Sequence, residues 1–233
     1  MKTKAVVFDW DGVLYDSAAI YAAHFNTVLA RYGKTMYALP EWRELVGPTA
    51  EESFRRAGLE DTDIPEAKRQ FIELTRGEPR PTTFKDTYDM LRWLRDRGIT
   101  AYIVSAHPMT DIVIELAKND LLKFVAAIQG DASPQDKIAF LQNLVRGGRY
   151  SVKADELVFV DDMDTILEAA SSVGCYRVAL ARGYCSQKRL LRARPDNIIH
   201  NLKNLQGYIN LLHYSQPQNH HVTGGKKTKH SGR

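Results

Sequence analysis

The sequence lacks long hydrophobic runs and contains little cysteine. No uninterrupted apolar stretch approaches the roughly 18 residues that a membrane helix needs, and residues 1–4 lead directly into a short apolar run. We therefore expect neither a membrane span nor a secretory signal. The two cysteines, Cys175 and Cys185, have neither metal-ligand spacing nor the density of a disulfide scaffold. This predicts two reduced thiols in a cytoplasmic protein.

Acidic residues are absent from the end of the chain, where none follows Tyr214. Four of the 32 basic residues lie in the last eight positions: Lys226, Lys227, Lys229 and Arg233. Without them, 28 basic residues face 28 acidic ones, so the pI of about 9.0 does not indicate a nucleic-acid-binding body. Because residues 214–233 offer almost nothing to bury, we expect a disordered basic tail.

Short apolar runs alternate with segments of helical periodicity. With 233 residues, 44% of them hydrophobic, the chain can bury a substantial core in one main domain. The runs typical of buried strands are residues 4–8, 100–104, 157–160 and 176–180, with weaker candidates at 124–128 and 197–200. This alternation predicts an α/β fold, in which helices cover both faces of a Rossmann-like parallel sheet.

The alternation breaks after the first strand, and no convincing strand follows until residue 84. Helical patterns occupy residues 21–32, 49–57 and 65–74 instead. Pro79 and Pro81 then favour a stiff return to the sheet, because proline disfavours both helix continuation and sheet pairing. The predicted division is a core of residues 1–14 and 84–213, an α-helical cap of residues 15–83 inserted after the first strand, and the tail of residues 214–233.

Two carboxylates directly follow the first predicted strand, in the segment Asp9-Trp10-Asp11-Gly12-Val13-Leu14. In an open parallel sheet, ligands bind beyond the carboxyl ends of the strands, so Asp9 and Asp11 lie at the expected active-site edge. Gly12 would allow the chain to turn sharply there. Acidic residues in this position also cap helices, so the motif alone leaves a structural role open.

Polar residues also follow the later predicted strands. Ser105 and the backbone amide of Ala106 could hold a phosphate oxygen, although a serine at a strand end is often only a helix cap. Lys137 could neutralise a phosphate and an attacking carboxylate, although most such lysines are merely solvated. Asp161 and Asp162 end a buried strand, where adjacent carboxylates are costly unless a cation or hydrogen bonds compensate them. This pair favours a metal site.

Taken in order, these motifs make residues 4–212 resemble the haloacid dehalogenase-like phosphatase superfamily. The helical insert resembles the cap of the subgroup that includes phosphoglycolate phosphatase and beta-phosphoglucomutase. The resemblance implies that Asp9 becomes phosphorylated and that Asp11 acts as general acid and base. It further implies that Mg²⁺ is held by Asp9, the backbone carbonyl of Asp11 and the Asp161-Asp162 pair, with Asp162 as the more direct ligand.

The sequence departs from the superfamily pattern at two motifs. Many capped relatives have Lys-Pro at the third motif, whereas here Ser133 precedes Pro134 and the nearby lysine is Lys137. Many relatives also carry a further acid in the fourth motif, at a position that Ile166 occupies here. These departures bear on the phosphate-binding lysine and on the affinity for the metal.

The function predicted from these residues is Mg²⁺-dependent hydrolysis of a small phosphorylated metabolite through an aspartyl phosphate on Asp9. A phosphomutase and a catalytically weak scaffold protein remain alternatives. The second carboxylate, Asp11, disfavours dehalogenases and phosphonate-cleaving relatives, which lack it. Nucleic acid is not an expected partner beyond the tail, and the oligomeric state is left open.

The substrate's leaving group is not identified by any spacing in the sequence. Residues of the predicted cap that could contact it are His24, Arg43, Thr49 and Arg55. The basic residues of segment 182–194, among them Lys188, Arg189 and Arg192, are expected on an exposed helix face rather than in a nucleic-acid site.

Removal of the tail tests the interpretation of the charge distribution. Truncation of residues 215–233 should leave turnover and thermal stability nearly unchanged and should lower the pI towards neutrality, because the tail carries excess positive charge and few groups to bury. Phosphatase assays and thermal unfolding of the two chains provide the measurement. A truncated chain that fails to fold would contradict the prediction.

Overall fold

The computed structural model describes residues 3–77, 79–147 and 152–214. The predicted tail therefore lies outside the described residues, apart from Tyr214, which ends the last helix. The strands are β1 (Ala5–Phe8), β2 (Thr100–Val104), β3 (Val125–Gln129), β4 (Leu157–Asp161), β5 (Tyr176–Leu180) and β6 (Asn197–Ile199). They form one parallel sheet in the order β3-β2-β1-β4-β5-β6. The predicted α/β fold class is confirmed.

Helices connect the strands and form a separate group after β1. The first group is α1 (Ala18–Arg31), α2 (Leu39–Leu45), α3 (Ala50–Arg56) and α4 (Ile64–Thr75). The later helices are α5 (Thr87–Asp96), α6 (Met109–Lys118), α7 (Pro134–Arg146), α8 (Asp164–Ala169), α9 (Gln187–Arg192) and α10 (Leu202–Tyr214). In the described part of the chain, no helix has both the length and the apolar character needed to cross a membrane.

Alternate residues of the central strand supply two separate hydrophobic cores. Val6 and Phe8 belong to one core, and Ala5 and Val7 belong to the other. All four side chains are fully buried, because successive side chains of a strand point to opposite faces and helices cover both. Burial on both faces explains why β1 is an uninterrupted apolar run in the sequence.

Helices α1 to α4, which we call the helical segment, have a core of their own. The rings of Phe25 and Phe54 stack with centroids 4.7 Å apart, and Trp42 and Leu29 are buried in the same cluster. Sequence periodicity predicted α1, α3 and α4 but not α2. Only Trp42 is buried in that seven-residue helix, so it is too short and too exposed to show a 3.6-residue period.

The two connections of the helical segment to the sheet lie side by side. The Asp16 amide donates to the Thr82 carbonyl at 2.8 Å, and the Phe84 amide donates to the Leu14 carbonyl at 2.9 Å. Tyr15 and Thr83 form an antiparallel bridge between these two bonds. The predicted cap boundaries fall within this paired stretch, but the division into core and cap remains a prediction.

Candidate active site

The strand order places the ends of β1, β2 and β4 next to one another. Asp9 follows β1, Ser105 follows β2 and Asp161 is the last residue of β4, and all three side chains are buried. The chain order reverses at β1, which is where open parallel sheets bind ligands. A cavity of about 930 Å³ opens at this edge, between the sheet and the helical segment.

Lys137 links two of these strand ends. Its Nζ lies 2.8 Å from Asp9 Oδ2 and 3.2 Å from Asp161 Oδ2, and its side chain is only 6% exposed. Helix α7 delivers it from the first turn, which Ser133 and Asp136 stabilise by a capping box. Burial alone would lower the pKa of Lys137, but the two carboxylates raise it above its usual value, so the ammonium group stays charged.

Three buried carboxylates surround one point at the sheet edge. Asp9, Asp161 and Asp162 each offer an oxygen, and these oxygens lie within 4.8 Å of one another. Burial raises the pKa of Asp161 to about 6, against the opposing effect of Lys137. Burial and the neighbouring Asp161 raise the pKa of Asp162 well above its usual value. If all three carboxylates are ionised, one ammonium group leaves excess negative charge, which a divalent cation would compensate.

Asp162 is the acid whose remaining oxygen best fits a metal ligand. Its Oδ2 accepts a 2.6 Å hydrogen bond from the Tyr184 amide, while its buried Oδ1 has no hydrogen-bond partner among the described residues. Both oxygens of Asp161 are engaged, since Oδ1 accepts from the Met163 amide and Oδ2 from Lys137. Buried carboxylate oxygens of this kind suit the hard cation Mg²⁺.

Two glycines make room for the Asp162 carboxylate. A Cβ atom added to Gly183 or to Gly12 would collide with Asp162 Oδ2. Gly12 also has a φ of +71°, which side-chain-bearing residues rarely adopt. The loop after β5 therefore accommodates Asp162 in two ways. The Tyr184 amide donates a hydrogen bond to its carboxylate, and Gly183 leaves room for that carboxylate because it has no side chain.

The Asp11 carboxylate contacts His107 instead of joining this group of acids. Its Oδ2 lies 3.0 Å from His107 Nδ1, and both residues line the cavity. Asp11 is thus not part of the carboxylate group of Asp9, Asp161 and Asp162. The role expected for it in metal binding was through its backbone carbonyl, and that role stays a prediction.

Ser105 and Ala106 lie where the sequence places a phosphate site. Ser105 Oγ accepts a 3.2 Å hydrogen bond from the His107 amide, and the Ser105 amide donates to the Gln129 carbonyl at 2.9 Å. Ala106 is exposed, and both residues line the cavity. Contact of either residue with phosphate remains a prediction.

The candidate leaving-group residues separate in the structure. Thr49 lines the cavity, whereas His24, Arg43 and Arg55 are not among its lining residues. Arg55 is exposed and pairs with acids of the helical segment. Arg43 instead donates to the carbonyls of Gly183 and Arg182, each at 2.8 Å, and so ties α2 to the loop that holds Asp162.

The expectation of an exposed basic face on segment 182–194 is wrong for Arg189. This side chain is buried and pairs with both carboxylate oxygens of Asp164, at 2.9 and 2.6 Å. It also donates to the carbonyls of Arg43 and Val46. Sequence periodicity could not reveal this, because the partners come from another helix and from the helical segment. Lys188 and Arg192 are exposed as expected.

The sequence profile of the haloacid dehalogenase-like hydrolases matches residues 6–180, which include every strand end described above except that of β6. The chain belongs to the haloacid dehalogenase-like hydrolase family. Its predicted family and its predicted enzyme class, a hydrolase of this family, are therefore confirmed.

Similar family members include curated phosphatases. A phosphoglycolate phosphatase of Pseudomonas savastanoi pv. phaseolicola is 28% identical over 221 residues, covering 87% of this chain and 78% of its own length. That of Synechococcus elongatus is 26% identical over 197 residues, covering 83% of this chain and 91% of its own. A haloacid dehalogenase-like hydrolase structure from Streptococcus pneumoniae shares the fold, with a TM-score of 0.74 at 21% identity over 88% of this chain and 97% of that one.

Substitution of Gly183 tests the metal-binding geometry. Gly183→Ala should displace the Asp162 carboxylate and raise the Mg²⁺ concentration needed for half-maximal activity by about 10- to 100-fold, the usual cost of disturbing a ligand's support. The matched control is Gly207→Ala in α10, where an added Cβ meets nothing within 4 Å. Mg²⁺ titrations of activity and of thermal unfolding provide the measurement. Equal Mg²⁺ dependence in the two variants would contradict the assignment.

Proposed function

We propose that this hydrolase is a Mg²⁺-dependent phosphatase that forms an aspartyl phosphate on Asp9 and uses Asp11 as general acid and base. The observation that carries the proposal is the contact between Asp9 and the buried Lys137, beside the Asp161-Asp162 pair. A carboxylate that lines the cavity and is held by one ammonium group can approach a phosphate whose charge the site neutralises.

The substrate class that we propose is a small phosphorylated metabolite. Curated relatives that align along most of this chain are phosphoglycolate phosphatases, which supports a phosphate monoester substrate. The cavity is enclosed on one side by residues of the helical segment, among them Tyr21, Thr49 and Phe71, and on the other by the strand ends. A site with walls on both sides favours a compact substrate over a macromolecule.

In the first step, a carboxylate oxygen of Asp9 attacks phosphorus and the ester P–O bond breaks. Lys137 lies close enough to orient Asp9, and its charge would reduce repulsion between the carboxylate and the phosphoryl oxygens. Asp11, in its protonated form, gives its proton to the departing alkoxide. The products of this step are the free alcohol, phosphorylated Asp9 and the Asp11 carboxylate.

In the second step, Asp11 accepts a proton from a water molecule as the water oxygen attacks phosphorus. The bond between phosphorus and Asp9 breaks, which releases inorganic phosphate and restores both aspartates. Division of one difficult hydrolysis into two displacements is the purpose of a covalent intermediate. The same residue acts as acid and then as base, so its protonation state is reset after each cycle.

Mg²⁺ fits the carboxylates at the sheet edge. Asp9, Asp162 and the backbone carbonyl of Asp11 would hold it, and Asp161 would support the arrangement through Lys137. When bound, Mg²⁺ supplies positive charge that stabilises the phosphoryl oxygens during transfer. Asp162 Oδ1, which is buried and has no hydrogen-bond partner in the described part of the chain, is free to bind such a cation.

Replacement of the proposed nucleophile tests the function. Asp9→Asn should lower Mg²⁺-dependent phosphate release from 4-nitrophenyl phosphate by at least about 10³-fold, because an amide is a poor nucleophile. Thermal unfolding should show that the variant is folded, and Gly207→Ala should retain turnover. Full activity of Asp9→Asn would reject the covalent mechanism. Transfer of phosphate to a second position of a sugar phosphate, in place of its release, would indicate a mutase.

We further propose that residues 15–83 form a lid over the cavity, hinged at the paired stretches around Tyr15 and Thr83. Small phosphorylated metabolites should then be hydrolysed with much higher kcat/KM than a phosphopeptide or a 3′-phosphorylated oligonucleotide. A macromolecule would keep the lid open and leave the site accessible to bulk water. A comparison of kcat/KM for these substrates provides the measurement. Comparable values would reject the lid, and no turnover of any of them with Mg²⁺ would favour a scaffold protein.

A further inference from the structure

His107 lies beside the proposed acid and base, in the loop between β2 and α6. Its Nδ1 is 3.0 Å from Asp11 Oδ2, and the two side chains are only 12% and 17% exposed. A carboxylate can only accept a hydrogen bond, so the imidazole Nδ1–H donates to it. The sequence motifs do not single out this histidine.

The position of His107 is fixed by groups other than Asp11. Its amide donates to Ser105 Oγ at 3.2 Å, and its carbonyl accepts from the Asp131 amide at 2.9 Å. Its ring packs edge-on against Tyr15, with centroids 5.8 Å apart, and Tyr15 in turn stacks on Trp10. Contacts of both its backbone and its ring therefore hold His107 in place independently of Asp11.

Among the described residues, the Asp11 side chain has no second hydrogen-bond partner. Its Oδ1 is buried without a hydrogen-bond partner among the described residues, so the contact of Oδ2 with His107 is the hydrogen bond that orients its side chain. Rigid outer groups that orient a reactive side chain often account for a large part of its efficiency.

We propose that His107 is a positioning residue that holds the Asp11 carboxyl group for proton transfer to the leaving alcohol. His107 occupies Oδ2 as a donor and thereby fixes the orientation of the carboxyl group. This inference rests on the proposed function of Asp11. His107 itself neither gives up nor receives a proton in the reaction and need not touch the substrate.

The electrostatics agree with a donating imidazole. Burial lowers the pKa of His107, but the charge of Asp11 and the hydrogen bond to it raise that pKa above its ordinary value. A second acid near the ring, Asp111, acts in the same direction. Both the cation and the neutral tautomer with a proton on Nδ1 can donate to Asp11, so the proposal does not depend on the charge of His107.

The test compares two substrates that differ in their need for a proton. Cleavage of benzyl phosphate releases a basic alkoxide, whereas cleavage of 4-nitrophenyl phosphate releases a stable phenolate. For both, kcat/KM covers only the steps up to formation of the phosphoenzyme, so it reports the acid role of Asp11 separately from its role as a base. Each variant is measured with saturating Mg²⁺.

His107→Leu should lower kcat/KM for benzyl phosphate by about 10- to 100-fold, a part of the roughly 10²- to 10⁴-fold that a complete acid contributes. The loss for 4-nitrophenyl phosphate should stay below about threefold, because that leaving group needs little help. His107→Asn should restore most of the loss, since its amide nitrogen is as many bonds from Cα as Nδ1. An equal loss for both substrates, or none, would overturn the proposal.

A double-mutant cycle distinguishes failure of this inference from failure of the proposed function. If His107 acts through Asp11, adding His107→Leu to Asp11→Asn should change kcat/KM for benzyl phosphate by less than about twofold. Additive losses would mean that the imidazole acts independently and would reject the positioning role. If Asp11→Asn alone shows no difference between the two substrates, the acid role of Asp11 is itself wrong. Thermal unfolding verifies that each variant is folded.

Discussion

The arrangement of acids at this sheet edge depends on the ion pairs of Lys137 with Asp9 and Asp161. Burying a carboxylate is costly, and two of them at adjacent strand ends would repel each other without a cation between them. Lys137 reaches both from the start of α7 and lies 2.8 Å from Asp9 Oδ2. The sheet can therefore bring the ends of β1 and β4 together, because Lys137 reduces the repulsion between the two acids.

One ammonium group cannot neutralise all three carboxylates of this site if they are ionised, and this charge difference indicates a cation site. Asp162 adds a third buried carboxylate, whose Oδ1 has no partner in the part of the chain that the structure describes. If Asp162 had only a structural role, an apolar residue in its place would make the fold more stable. Its retention, in a pocket that Gly12 and Gly183 leave open, is understandable if a divalent cation binds there.

The loop after β5 connects this charge centre with the helical segment. The Tyr184 amide binds Asp162, while the Tyr184 ring packs against Trp42 and its hydroxyl lies 3.0 Å from Ser17 Oγ. Arg43 donates to carbonyls of the same loop, and Arg189 donates to the Arg43 carbonyl. The group that holds the proposed metal ligand thus also contacts the proposed lid.

The sequence by itself determined the strands, most of the helices and the acids that lie at the sheet edge. Buried parallel strands must be apolar throughout, so β2 and β5 could be bounded correctly from composition. The polar residues at the ends of β1, β2 and β4 mark the edge at which the candidate site lies. Only the tertiary structure decided which side chains meet. His107 contacts Asp11, which lies 96 positions away in the sequence. The buried Arg189 donates to the carbonyls of Arg43 and Val46, which lie more than 140 positions away. Such contacts depend on strand order and loop geometry, and neither leaves a periodic signal in the sequence.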